Sequence, residues 1–194
     1  MRKTRSLDVD YFETLYQSDP DPWNFTTSAY EAEKYEHTVR ALGEERAARA
    51  LEIGCSIGVL TQALAPLCDR LVATELSASA LAQARERCQA LAHVEFRLAK
   101  TPTEPVEGPF DLIVISEVAY YWDDHDLARM AQMIAHILAP GGRVLLVHWL
   151  GETDYPKSAD EAVDTLAAHL ASLITVEKQK RRAKYRLDLW RRAA

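Results

Sequence analysis

Cysteine is scarce in this 194-residue chain: Cys55, Cys68 and Cys88 form no C-x-x-C pair. An odd number at such spacings argues against a disulfide framework, and the three read as reduced, small, buried side chains. The six histidines form no H-E-x-x-H and no other tight ligand spacing, so no metal site is expected. No apolar run approaches the roughly 20 residues needed to span a bilayer. Arg2, Lys3 and Arg5 are followed by Leu7-Asp8-Val9-Asp10, where a secretory leader would need an apolar stretch. A soluble, cytoplasmic protein is therefore expected. Positive charge is also short: the formal net charge of −6 gives no general support to nucleic-acid binding. Seven glycines and eight prolines are too few for a collagen-like chain, and 48% hydrophobic residues exclude intrinsic disorder. One domain remains, long enough to bury a core without staples.

Apolar runs and amphipathic stretches alternate through most of the chain. Strands are expected at 50–53, 70–75, 94–98, 110–115 and 143–149, and helices at 58–68, 78–91, 126–138 and 158–173. Near-continuous apolar strands such as 112–115 and 144–147 fit parallel strands covered on both faces. Repeated strand–helix units imply right-handed crossovers and a doubly wound α/β fold. The strands expected at 174–178 and 185–190 are joined by about six residues and must run antiparallel. Ahead of this core lies an aromatic, turn-rich arm: Tyr11, Phe12 and Tyr16, then Asp19-Pro20-Asp21-Pro22-Trp23-Asn24-Phe25. A helix over 30–42 follows, with Ser28 as its cap and Gly43 as its stop.

The stretch Leu51-Glu52-Ile53-Gly54-Cys55-Ser56-Ile57-Gly58 passes from strand to glycine loop to helix, where open α/β sheets bind ligands. Ser56 fits that loop if its backbone keeps an ordinary φ. Glu75 ends the second strand 21 residues beyond Gly54, where a carboxylate can accept from both ribose hydroxyls of a nucleoside. Two details argue against a dinucleotide. The spacing is Gly-x-Ser-x-Gly rather than Gly-x-Gly-x-x-Gly, and Glu52 would repel a pyrophosphate. A carboxylate there suits S-adenosylmethionine, which carries a sulfonium and an ammonium and no phosphate.

Glu-x-Gly-x-x-x-Gly at 52–58, Glu75, the strand at 110–114 and Leu138-Ala139-Pro140-Gly141-Gly142 together resemble the ordered motifs of class I S-adenosylmethionine-dependent methyltransferases. The resemblance runs from residue 48 onward. It implies a single Rossmann-like domain with a seven-stranded, mostly parallel sheet and an antiparallel last strand. Tyr11-Phe12, Asp19-Pro20-Asp21-Pro22-Trp23 and Ser28-x-Tyr30-Glu31-x-x-Lys34-Tyr35 further resemble the opening of the nodulation protein S (NodS)-type N-methyltransferases. So do Glu117-Val118-Ala119-Tyr120-Tyr121 and the ending from Tyr185 to Arg192. Founding members of that group N-methylate the free amine of a deacetylated chitooligosaccharide. For this chain the resemblance implies methylation of an amino group on a small-molecule or oligosaccharide acceptor. Residues 1–43 would form an arm and helix serving as a lid on the methyltransferase domain at 44–194.

The expected cofactor contacts are Glu52, Gly54, Cys55, Ser56, Gly58, Glu75, Leu76 and Ser116, with Ala99, Lys100 and Thr101 after the third strand. Many class I enzymes place an acid or amide near Lys100 for the adenine amine. Lysine accepts no hydrogen bond, so adenine falls to the backbone at Ala99–Lys100 or to Thr101. Trp23, Tyr30 and Lys34 are the lid residues, with Lys34 pairing the methionyl carboxylate; the alternative is an arm packed on the sheet edge with Lys34 solvated. On the acceptor side Glu117 would take the acceptor proton or hold its ammonium, unless it faces solvent or pairs with a neighbouring cation. Tyr120 and Tyr121 would line the acceptor pocket or pack in the core. His148 is a second base candidate or a structural histidine.

Asp123-Asp124-His125-Asp126 reads as cap and first-turn acids of a helix rather than a metal site. Lys178, Lys180, Arg181, Arg182, Lys184, Arg186, Arg191 and Arg192 read as a solvated hairpin; an RNA methyltransferase using them is the alternative. A non-catalytic S-adenosylmethionine-binding protein is another, and a nicotinamide oxidoreductase is disfavoured by the loop spacing and Glu52. A monomer or homodimer is expected, with no room for a separate substrate domain.

Overall fold

The computed structural model describes residues 2–194. Its strands are β1 (Ala47–Ile53), β2 (Cys68–Glu75), β3 (Val94–Leu98), β4 (Phe110–Ser116), β5 (Leu138–Trp149), β6 (Ile174–Arg181) and β7 (Tyr185–Arg192). They form one sheet in the order β3-β2-β1-β4-β5-β7-β6. The pairs β1–β2, β1–β4, β2–β3 and β4–β5 are parallel, and β7 is antiparallel to both β5 and β6. This is the expected Rossmann-like α/β architecture. The central strands read as unbroken apolar runs because both faces are covered. Ile113, Ile115, Val144 and Leu146 enter one core layer, while Leu112, Val114, Leu145 and Val147 enter the other.

The helices are α1 (Val9–Ser18), α2 (Ala29–Leu42), α3 (Val59–Leu64), α4 (Ala78–Arg87), α5 (Asp124–Ile137) and α6 (Ala159–Leu170). Caps set their starts: Ser28 on α2, Ser77 on α4, Asp123 on α5, and a Ser158–Glu161 capping box on α6. The acidic run at 123–126 therefore does the capping work expected of it. No helix among the described residues is long and apolar enough to cross a membrane.

Several boundaries differ from expectation. The helix expected over 58–68 stops at Leu64 and tightens into one 3-10 turn, Ala65–Leu67, because Pro66 cannot continue an α-helix. Helix α4 ends at Arg87 rather than near residue 91. Strand β5 begins at Leu138, five residues ahead of the expected Arg143, and passes through Pro140-Gly141-Gly142. A register shift against β4 between Phe110 and Leu112 accommodates that segment. Helix α1 was not expected at all. Asp8 caps it, accepting from Tyr11 N at 3.0 Å, and Phe12 and Tyr16 are buried one turn apart.

The order of strands reverses between β1 and β4, both parallel, and the crevice outside their carboxyl ends is where such sheets bind ligands. The arm folds over that crevice. Glu13 on α1 accepts from the hydroxyls of Ser77 (2.8 Å) and Ser79 at the start of α4, and Leu7 N donates to Tyr121 O at 3.0 Å.

Candidate functional site

The turn after β1 is fixed by its backbone. Gly54 N and Cys55 N both donate to Thr74 O at 2.9 Å, and Gly54 takes a φ of 74°. A Cβ on Gly54 would collide with the side chain of Val118, so the chain can pass only without one. Ser56 does not keep an ordinary φ: its value is 51°, in the left-handed region. The strain is offset locally, since Ser56 N donates to Glu75 Oε2 at 2.9 Å and its hydroxyl meets that of Tyr16 at 2.5 Å. Gly58 has a different job from the one expected. It does not line the cavity, and a Cβ there would lie 3.0 Å from Ala84 Cα, so its absence lets α3 start against α4.

A cavity of about 490 Å³ opens over this turn, within the range of small-molecule sites. Apart from Gly58, every expected cofactor contact lines it: Glu52, Gly54, Cys55, Ser56, Glu75, Leu76, Ala99, Lys100, Thr101, Ser116, Trp23, Tyr30 and Lys34. Of the expected acceptor residues, Glu117, Tyr120 and Tyr121 line it and His148 does not.

The wall is acidic and partly unsatisfied. Glu52 is buried; its Oε2 accepts from the Thr61 hydroxyl at 2.6 Å, and its other oxygen has no partner among the described residues. Burial pushes its carboxyl up to about 7. Glu75 Oε1 accepts from Leu76 N and Ser77 N, at 2.8 and 3.0 Å, and Oε2 from Ser56 N. Burial raises its pKa against these three backbone donors, and a carboxylate with about four acceptor sites keeps one open. The hydroxyls of Thr101 and Tyr30 are buried without a hydrogen-bond partner among the described residues.

Lys34 is neither solvated nor free for a ligand's carboxylate. It is 1% exposed, and its Nζ lies 2.5 Å from Glu117 Oε1 and 3.0 Å from Glu31 Oε1. The rings of Tyr30 and Tyr35 flank it at 5.2 and 5.9 Å. Glu117 therefore pairs with a cation, as its alternative reading had it. Its Oε2 also accepts from the Tyr120 hydroxyl at 2.6 Å and Trp149 N at 2.8 Å. His148 is fully buried, and its Nε2 accepts from Ala119 N at 3.1 Å. Burial lowers its pKa to about 4, so it is a neutral structural histidine with no face on the cavity.

Glu31, Tyr16 and Trp149 line the cavity and were not expected there. Glu31 carried one readable signal, an acid three residues before a lysine on one helix face. The basic hairpin is mostly committed elsewhere. Lys178 donates to Ala41 O, Arg181 and Arg186 pair with Asp160, Arg191 pairs with Glu45, and Arg192 donates to Leu138 O.

The profile of the nodulation protein S (NodS) family matches residues 12–148. Nodulation protein S of Sinorhizobium fredii (strain NBRC 101917 / NGR234) is 34% identical over 127 residues, covering 64% of this chain and 59% of that relative. Across three such curated relatives the matched stretch spans 58–63% of their length. Among solved structures, the N-methyltransferase NodS of Bradyrhizobium japonicum WM9, in complex with S-adenosyl-L-homocysteine, superposes with a TM-score of 0.81. It is 22% identical, covers 97% of this chain and 100% of its own, and so speaks to the fold. A candidate methyltransferase from Pseudomonas syringae is 34% identical with a TM-score of 0.75, covering 85% of this chain and 100% of its own.

Proposed function

The chain belongs to the nodulation protein S family, and on that premise we propose that it is an S-adenosylmethionine-dependent methyltransferase acting on an amino group of a small-molecule or oligosaccharide acceptor. The observation that carries this reading is Glu52, a buried carboxylate of the cavity wall at the glycine turn, with one oxygen that has no hydrogen-bond partner among the described residues. An unpaired buried carboxylate is costly unless a cation meets it. The two lysines on the cavity wall do not offset the acids into a phosphate site, because Lys34 is held by Glu31 and Glu117. A donor set of this kind fits a cationic, phosphate-free nucleoside and disfavours a pyrophosphate.

Glu52 would hold the methionyl ammonium, Glu75 the ribose hydroxyls and Thr101 the adenine amine, with Trp23 and Tyr16 from the arm closing over them. Bound there, S-adenosylmethionine supplies a methyl group on a positively charged sulfur, which is a good leaving group. The chain's own part is to align the acceptor, exclude water and present an unprotonated nitrogen. Glu117 serves as a fixed negative charge for a cationic acceptor, because donors on both its oxygens pin it in place. Tyr120 and Tyr121, edge to face at 4.7 Å, give the acceptor side a dry aromatic wall.

The test is a transfer assay with methyl-labelled S-adenosylmethionine over amino sugars, deacetylated chitooligosaccharides and small amines, with their hydroxyl and N-acetyl counterparts alongside. Label on amines alone supports the reading. Label confined to hydroxyl acceptors or RNA, or no transfer at all, overturns it.

A further inference from the structure

Tyr30 and Glu31 begin α2 and stand side by side on the cavity wall. Each ends in a polar atom with acceptor capacity to spare. The Tyr30 hydroxyl is buried with no hydrogen-bond partner among the described residues. Glu31 is 7% exposed; its Oε2 is ion-paired with Lys34 Nζ at 2.7 Å and has no other partner among the described residues. Two adjacent residues of the cavity wall with spare acceptor capacity, an unpartnered phenol and a carboxylate met by a single cation, mark a place for a ligand group that donates.

Charge identifies that group. Glu31 and Glu117 share one ammonium, that of Lys34, so the cluster keeps one negative charge in excess. Asp21 adds to it from the arm; Lys184 lies over the Tyr30 ring at 5.0 Å, and among the described residues Lys34 alone forms an ion pair with Glu31. Burial outweighs Lys34 and raises the Glu31 carboxyl above its ordinary value, with Glu117 and Asp21 adding to the rise. A carboxylate in that state attracts a cation and readily takes a proton from it. Glu117 lacks this freedom, since Lys34, Tyr120 and Trp149 N occupy its oxygens.

We propose that Tyr30 and Glu31 form the acceptor-amine site, Tyr30 accepting an N–H hydrogen bond and Glu31 Oε2 taking the ammonium proton. This rests on the methyltransferase reading above. One proton passes from nitrogen to the carboxylate oxygen, which leaves a neutral carboxylic acid and a nitrogen lone pair free to attack. Lys34 and Glu117 then act as positioning residues that fix Glu31 and the far side of the site.

The experiment is calorimetric titration of glucosamine into protein saturated with S-adenosylhomocysteine, which holds the cavity without turnover. It is run across pH in two buffers of different ionisation heat. In the wild type the proton stays within the complex, so little is exchanged with buffer. Glu31→Gln should weaken glucosamine by about tenfold or more below the amine's own pKa. Its affinity should recover as pH rises, and binding should release a proton to buffer. Tyr30→Phe should weaken binding by about threefold to tenfold with no new pH dependence.

N-acetylglucosamine should bind equally to wild type and Glu31→Gln. An S-adenosylhomocysteine affinity within about twofold of wild type reports an intact cavity in Glu31→Gln, and a Tm within about 2 °C of wild type reports an intact fold in Tyr30→Phe. Equal glucosamine affinity and an equal pH profile in Glu31→Gln, or no glucosamine binding by the loaded wild type, overturns the assignment. If Glu31→Gln fails to fold, an unchanged Tyr30→Phe does the same. Failure of S-adenosylhomocysteine to bind the wild type sinks the methyltransferase reading instead.

Discussion

Substituting Glu52 by Gln isolates the charge on which the cofactor assignment depends. The Glu52 carboxyl moves from an ordinary 4.5 to about 7 in the fold, with burial as the main cause, opposed by the Thr61 hydrogen bond. Below about pH 4.5 folded and unfolded chains both hold the proton, and the site imposes no charge cost. Between pH 4.5 and 7 the unfolded chain releases it first. Above pH 7 the fold must bury the charge, so stability present at low pH is lost as pH rises. At about 1.4 kcal/mol per pH unit the loss is about 3 kcal/mol. For a domain of this size that is about 6–12 °C in Tm, at roughly 2–4 °C per kcal/mol. Gln keeps the Thr61 contact without the charge, so the Tm of wild type relative to Glu52→Gln should fall by that amount between pH 5 and 8. Differential scanning fluorimetry across pH reads it directly. Saturating S-adenosylhomocysteine should abolish the fall in the wild type, because its ammonium meets the carboxylate. Binding at pH 7 should release about half a proton, since the group is about half protonated there. A pH-independent Tm difference, together with binding that releases no proton, would refute the reasoning.

Two further substitutions probe the scaffold. Gly54→Ala imposes a side chain at φ 74° against Val118 and should cost about 1–3 kcal/mol in urea unfolding, with weaker S-adenosylhomocysteine binding. Wild-type stability in that variant would mean that Val118 yields to the added methyl at no cost. Asp188→Asn removes a buried partner of Arg186, whose Nε and Nη2 donate to it at 2.9 and 3.1 Å. A loss of about 3 kcal/mol is expected with S-adenosylhomocysteine affinity intact, and an unchanged denaturation midpoint would mean that Asp160 and Asp164 satisfy Arg186 without Asp188.

The sheet was legible because its central strands pack on both faces. Runs such as Leu112–Ile115 have no polar face to mask them, and the short link between the last two strands forced the antiparallel ending. Helix α1 was hidden by composition: its buried face is made of Phe12 and Tyr16 rather than aliphatic residues, and Asp8 was its one clear signal. Glu52, Glu75 and the glycine turn could be placed because chain neighbours fix them. Long-range pairing could not be read in the same way. Lys34 and Glu117 meet across 83 positions, and only the folded arm shows that each satisfies the other. His148 was misplaced because its side chain is buried within the fold one position before the end of β5, while Trp149 at the end reaches the cavity.

The central claim is that the cavity over the glycine turn takes S-adenosylmethionine rather than a dinucleotide. Calorimetry on the wild-type protein with S-adenosylmethionine, S-adenosylhomocysteine and NAD⁺ in parallel tests it most directly. Saturable one-to-one binding of both sulfur nucleosides, and none of NAD⁺, is the expected result. Tight NAD⁺ binding with no response to either sulfur nucleoside would contradict it.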